Sequence, residues 1–172
     1  MGKGPTWAIL AALLVACTGV AAGGEPIAGF SARLLAAHNA ERVQVGVPRL
    51  AWSAKLALDA QGWADHLARD GGMHHAGDAA TGAEGENLWM GAAGQYSPES
   101  MIQTFLAERR NFHPGIYPRV SATGSGLDVG HYTQIVWRNT QQVGCALARG
   151  RLSDFLVCRY WPAGNWRGQA VY

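Results

Sequence analysis

Cysteine is scarce in this chain of 172 residues: there are three, Cys17, Cys145 and Cys158, and no two stand as Cys-x-x-Cys. That excludes a zinc ribbon and a thioredoxin-like redox pair. No Gly-x-x-x-x-Gly-Lys loop, no Gly-x-Ser-x-Gly elbow and no His-Glu-x-x-His pair occurs. Phosphate-loop hydrolysis, the α/β-hydrolase site and zincin-type peptidases are therefore out. Lysine is nearly missing too, with Lys3 and Lys55 alone. The formal charge of +2 falls to about +1 once Lys3 is set aside with a leader. No basic excess is left to bind nucleic acid or to anchor the chain on an acidic membrane. Charged residues are only 15% of the chain and hydrophobic ones 48%, which predicts one packed domain and excludes disorder.

Met1–Ala22 reads as a secretory signal: Lys3, then the uncharged run Trp7–Ala16, then small residues. The run is about ten residues, half of the roughly 20 that span a bilayer. Two exits compete. Val20-Ala21-Ala22 has the pattern of an ordinary signal-peptidase site, and Leu14-Val15-Ala16-Cys17 resembles a lipobox that would lipidate Cys17. Either exit predicts a secreted or periplasmic protein, or one lipid-anchored to the envelope. It leaves Cys145 and Cys158 as an even pair in an oxidising compartment.

Residues 23–30 read as a short Gly-rich lead. Leu34, Leu35, His38 and Arg42 then recur at helical spacing from about Ser31 to Val45, and Gly46 and Pro48 stop that helix. Ser53 is placed to cap a second helix whose buried face is Leu56, Ala60, Trp63 and Leu67. Leu88-Trp89-Met90 reads as a brief strand. Ser97-Pro98-Glu99 opens a third helix, on which Met101, Phe105 and Glu108 share a stripe. Asn111–Asp128 has three turn signals and reads as a long loop. His131–Trp137 alternates and predicts a strand. Val143–Arg149 and Asp154–Tyr160 predict a hairpin. If Cys145 faces Cys158, Val143 meets Tyr160, Leu147 meets Leu156 and Arg149 meets Asp154. Small Gly144, Ala146 and Ala148 then meet large Arg159, Val157 and Phe155 on the other face.

Six short motifs, in order, resemble the CAP superfamily of cysteine-rich secretory proteins, insect venom antigens and plant pathogenesis-related proteins. They are His38-Asn39-x-x-Arg42, Leu50-x-Trp52, Gly85-Glu86-Asn87-Leu88, Gly130-His131-Tyr132-Thr133-Gln134, Val143-Gly144-Cys145-Ala146 and Cys158-x-Tyr160-x-Pro162-x-Gly164-Asn165. The likeness runs from about Leu34 to the C-terminus, so residues 31–172 are assigned to one CAP domain. The loop leading to Asp128-Val129-Gly130 looks like that of the bacterial branch, and the additional cysteines and Cys-rich domain of eukaryotic members are missing.

The resemblance implies an α+β fold, a three-layer α–β–α sandwich around a small, mainly antiparallel sheet. It also implies a cleft tetrad of two histidines and two glutamates. By motif these are His75, Glu86, Glu108 and His131, with His75 preferred to His74 because a small residue, Ala76, follows it. His75 and His131 would ligate a divalent metal, zinc foremost, with no organic cofactor. The competing reading is a polar network tying the third helix to the sheet. Glu108 on an apolar helix face asks for a partner under either reading. His38, Asn39 and Arg42 read as a helix-anchoring hydrogen-bond set, His66 and His113 as surface residues. Trp52, Trp63, Trp89, Trp137, Trp161 and Trp166 read as core or cleft lining. The function expected is an exported, monomeric binding or interaction protein whose ligand is a lipid, glycan or protein of the envelope or exterior. The alternative is a metal-assisted or serine-type hydrolase using the same cleft, and no catalytic residue is assigned.

Overall fold

The computed structural model describes residues 1–2, 27–77 and 81–172. The cleavage site, the lipobox and Cys17 lie outside the described residues. Helix α1 (Ile27–Gln44) takes in residues 27–30, which the sequence assigns to the lead, because Phe30 packs against the core. A two-residue strand β1 (Ala51–Trp52) leads to α2 (Ala54–Asp70). There Ser53 accepts a hydrogen bond from the Leu56 N–H, and left-handed Gly71 closes the end. Strand β2 (Gly85–Ala92) and α3 (Pro98–Leu106) follow. Ser97 caps α3 with Pro98 in its first turn, and a 3₁₀ turn (Ala107–Asn111) prolongs it. After the long loop come α4 (Gly130–Val136), β3 (Gln142–Arg149) and β4 (Ser153–Trp161).

The sheet has the order β1-β3-β4-β2, with β1 parallel to β3 and the other pairs antiparallel. The hairpin register is the expected one: Cys145 lies opposite Cys158, Val143 opposite Tyr160, Leu147 opposite Leu156 and Arg149 opposite Asp154. A Cys145–Cys158 disulfide joins β3 to β4. On one face Ala146, Ala148, Phe155, Val157 and Leu88 pack against Ala60, Ala64 and Leu67 of α2. Ala64 thus takes the fully buried position and Trp63 a flanking one. On the other face Cys145, Leu156, Cys158 and Tyr160 join Leu34, Met101, Phe105 and Ile135 from α1, α3 and α4. The fold is the α–β–α sandwich. α2 sits so close to β3 that a Cβ on Gly144 would come 2.2 Å from the Ala57 nitrogen and 2.5 Å from the Ser53 oxygen.

The expected strand at His131–Trp137 is a helix. Every residue from Tyr132 to Trp137 is buried, so neither period of burial is available to distinguish the two. Side-chain partners on all sides override the β propensity of Thr133, Ile135 and Val136. The Glu108 carboxylate accepts from the Tyr132 N–H at 3.0 Å near the start, and the Arg42 guanidinium donates to the Ile135 and Trp137 carbonyls at 2.7 and 2.9 Å at the end. An acid at the N-terminus and a cation at the C-terminus match the helix dipole. Two tryptophans are also placed differently: Trp161 and Trp166 are 44% and 52% exposed, whereas Trp137 and Trp89 are buried.

The first-helix motif anchors the sandwich. Asn39 donates to the Leu50 carbonyl and accepts from the Leu50 N–H at 3.0 and 2.7 Å. The Nδ1–H of His38 donates to the Leu34 carbonyl at 2.8 Å, which leaves Nε2 to accept from the Tyr160 hydroxyl at 2.9 Å. Complete burial pushes the His38 imidazole down to about 4, so it is neutral in the native state.

Two outcomes are expected. Gly144→Ala should cost about 3 kcal/mol or more, because backbone must move to admit the methyl group, and urea denaturation reads this directly. For His38 the unfolded chain takes up the proton near pH 6.5, whereas the native state takes it up near 4. Between these values the unfolded state binds more protons, so stability falls as the pH drops from 6.5 toward 4. This residue contributes about 3 kcal/mol to that loss, and nothing above 6.5. The stability advantage of wild type over His38→Gln should accordingly shrink between pH 7 and pH 4.5.

Candidate functional site

The four tetrad residues form two His–Glu pairs built to one plan. His75 Nδ1 lies 2.7 Å from Glu86 Oε1, and the same oxygen accepts the N–H of Ala76, the next residue, at 3.1 Å. His131 Nδ1 lies 2.5 Å from Glu108 Oε1, and the other oxygen of that carboxylate accepts the N–H of Tyr132, again the next residue. In each pair a carboxylate grips a histidine by its ring and by the following peptide. Each ring therefore turns its Nε2 away from its glutamate.

The supports differ. Glu86 is 5% exposed and lies opposite Arg159 in the β2–β4 register, with Arg159 Nη2 2.9 Å from Glu86 Oε2. Arg159 Nη1 is 3.6 Å from Glu84, whose other oxygen is 3.2 Å from Lys55 Nζ, so two acids and two bases form one ionic group under β2. His75 itself is 65% exposed, and the Glu86 bond raises its pKa above the ordinary histidine value. Glu108 sits in the 3₁₀ turn after α3 and not on the helix proper, which swings it to the start of α4. Phe105 stacks on the His131 ring, with centroids 4.7 Å apart and planes at 15°.

Strand β2 touches both pairs. Glu86 shares a face with Leu88, toward α2, and Asn87 points to the other face, where it donates to the His131 carbonyl at 3.0 Å and to the Tyr160 hydroxyl at 3.2 Å. A Cβ on Gly85 would come 2.1 Å from Gln134 Oε1, so the Gln134 amide of α4 occupies the space that a side chain at Gly85 would take. His74 turns away from Glu86: its ring lies edge-on to Trp63 and to His66, at 5.3 and 5.7 Å between centroids. His66 is half-buried there, and His113 is exposed.

Among the described residues two sets of three donors have all their atoms within 4.8 Å of one another: His38, Cys145 and Cys158, and His66, Asp70 and His74. Neither draws on the tetrad. The first holds no ion, because both sulfurs are in the disulfide and both His38 nitrogens are engaged. No serine hydroxyl among the described residues is hydrogen-bonded to His75 or His131. A groove of about 670 Å³, lined by Phe30, Trp52, Leu58, Tyr96, Met101 and Leu147, draws on none of the tetrad residues.

Arg159 and Phe105 are the site residues that sequence reasoning passed over. Phe105 stands three positions before Glu108, on the stripe already noted. Arg159 would have come from pairing Gly85-Glu86-Asn87-Leu88 with β4, as the hairpin was paired. Replacing Glu86 by Gln should lower the His75 pKa, since the Glu86 bond is the main cause of its rise. A histidine NMR titration of both proteins checks this, and an unchanged His75 curve would show that the ring is not paired.

The model of the family described as "CAP: Cysteine-rich secretory protein family" matches residues 35–160. Pathogenesis-related leaf protein 4 of Solanum lycopersicum is 39% identical over 139 residues, 80% of each chain. A pathogenesis-related protein of the PR-1 type from Sambucus nigra is 35% identical over 137 residues, 79% of this chain and 78% of that one. Both are plant proteins, so the likeness of the long loop to a bacterial branch finds no support in them. The crystal structure of NaASP2 with Zn2+ superposes with a TM-score of 0.69 at 22% identity, covering 82% of this chain and 83% of that one, which is a likeness of fold. The match over 35–160, read with the six motifs and the sandwich they build, shows that this chain belongs to the CAP family.

Proposed function

We propose that this is an exported CAP-domain binding protein, similar to the plant pathogenesis-related proteins, whose two His–Glu pairs hold a divalent metal ion. The observation that carries the reading is the repeated grip of Glu86 on His75 and of Glu108 on His131 through Nδ1. A carboxylate on one ring nitrogen fixes the tautomer and leaves the other as a basic ligand, as in metal-binding histidines generally. The donor set fits a borderline cation such as zinc. His75 and His131 would supply the nitrogens, Glu86 and Glu108 would orient them, and water would complete the coordination. Bound there, the ion would polarise a ligand oxygen. Export is supported by the Cys145–Cys158 disulfide, which suits an oxidising compartment. Of lipid, glycan and protein, the lining of the 670 Å³ groove favours a lipid chain.

Zinc titration calorimetry on metal-stripped protein tests the reading. One binding event should be lost in His131→Ala and in His75→Ala, and weakened about 10- to 100-fold in Glu108→Gln. Binding should also fall as the pH drops through the raised His75 pKa, because the proton competes for the ligand. Titrations of His131→Ala and His75→Ala that match wild type would overturn it and leave the pairs as fold-supporting contacts.

A further inference from the structure

His66, Asp70 and His74 converge at the end of α2, on the far side of the His74-His75 dipeptide from the tetrad. His66 and Asp70 stand one turn apart on the helix, with His66 Nε2 3.1 Å from Asp70 Oδ2. The chain then turns through left-handed Gly71, whose N–H bonds the Leu67 carbonyl, and comes back so that His74 faces them. Trp63 holds both ends of the arrangement. Its indole N–H donates to the His74 carbonyl at 3.1 Å, and its ring stacks on His66 with centroids 4.5 Å apart. One donor atom from each of the three side chains lies within 4.8 Å of the others.

We infer that His66, Asp70 and His74 form a second, separate site for a divalent transition-metal ion. Two imidazoles and a carboxylate suit zinc and its neighbours better than calcium or magnesium, which take oxygen ligands. With bonds of 2.0–2.2 Å, tetrahedral ligands sit about 3.4 Å apart. The His66–Asp70 spacing already matches this, and His74 needs only a side-chain adjustment at an exposed position. The i, i+4 placement on a helix fixes two ligands before the ion arrives, and the Trp63 bond fixes the backbone of the third. Water takes the fourth position. The ion would tether residues 71–75 to the end of α2, and with them His75.

The site shares no residue with the tetrad and does not rest on the reading proposed for it. The test uses metal-stripped His75→Ala/His131→Ala protein, in which the tetrad has no nitrogen ligand left. Zinc titration calorimetry should still show one equivalent bound. Adding His74→Ala or His66→Ala should remove it, and Asp70→Asn should weaken it about tenfold or more. In the wild-type chain, which meets any concern about folding of the variants, the imidazole NMR signals of His66 and His74 should shift with zinc. Absence of the remaining equivalent, its persistence in His66→Ala and His74→Ala, or unshifted His66 and His74 signals would each overturn the site. A loss of zinc binding confined to the tetrad variants would instead count against this site and for the other.

Discussion

The side chain on which the rest of the molecule depends is Arg42. Its guanidinium is completely buried and donates to four carbonyls: Pro48 at 2.6 Å, Ile135 at 2.7 Å, Trp137 at 2.9 Å and Thr140 at 2.9 Å. Burial lowers its pKa to about 10, which still leaves it charged at neutral pH. Those acceptors belong to the turn after α1, the end of α4 and the link from α4 into β3. Without the guanidinium, each buried carbonyl left bare would cost about 1–3 kcal/mol. A lysine ammonium could not reach four divergent acceptors, because the planar fork is what spreads the donors.

From that hub a chain of hydrogen bonds runs through the motifs. His38 accepts from Tyr160, Tyr160 accepts from Asn87, and Asn87 also donates to the His131 carbonyl. On the other side of α4, the Thr133 hydroxyl donates to Asn165 at 2.6 Å, Asn165 donates to the Gly130 carbonyl at 2.9 Å, and Gln134 accepts from the Gly164 N–H at 2.9 Å. Tyr132 donates to Glu41 on α1 at 2.9 Å. The motif residues are therefore mostly one another's hydrogen-bond partners. Their function in the fold is to hold a seven-residue helix, too short to persist alone, against the edge of the sheet.

This pattern explains which parts were legible. The hairpin could be read to the residue because one presumed cysteine contact fixes an antiparallel register, and the small-against-large pairing of Gly144 with Arg159 and Ala148 with Phe155 checks it. Helices α2 and α3 announced themselves through Ser53 and Ser97 caps and a single buried stripe. α4 did not, because burial on every side removes the period and its ends are capped by residues distant in sequence, Glu108 and Arg42. The tetrad residues came from motif likeness, whereas their partnership depends on backbone N–H groups of Ala76 and Tyr132 that no side-chain pattern displays. The His66, Asp70 and His74 grouping was hidden because the return of the chain after Gly71 is a backbone event. Only the helical pair within it had a spacing to notice.

The network reading and the metal reading of the tetrad do not compete for the same atoms. The carboxylates are committed to the fold: Glu108 completes the start of α4, and Glu86 offsets the buried charge of Arg159. Removing Glu108 leaves the Tyr132 N–H bare, and removing Glu86 leaves buried Arg159 with the more distant Glu84 alone, each a change with a cost in stability. The imidazoles are hydrogen-bonded to their glutamates through Nδ1, and the His131 ring also stacks on Phe105. The His75 side chain is 65% exposed and that of His131 35%, so the His75 ring can be lost with less disturbance to the core than the His131 ring, which covers Phe105. Folding thus draws on the glutamates, whereas the proposed metal binding would draw on the histidines. A protein can carry such a pair for structural reasons alone and still present, at each ring, a fixed tautomer with a basic nitrogen turned away from its carboxylate. That division is why substitution of the histidines, and not of the glutamates, is the change that would separate the proposed metal binding from the support of the fold.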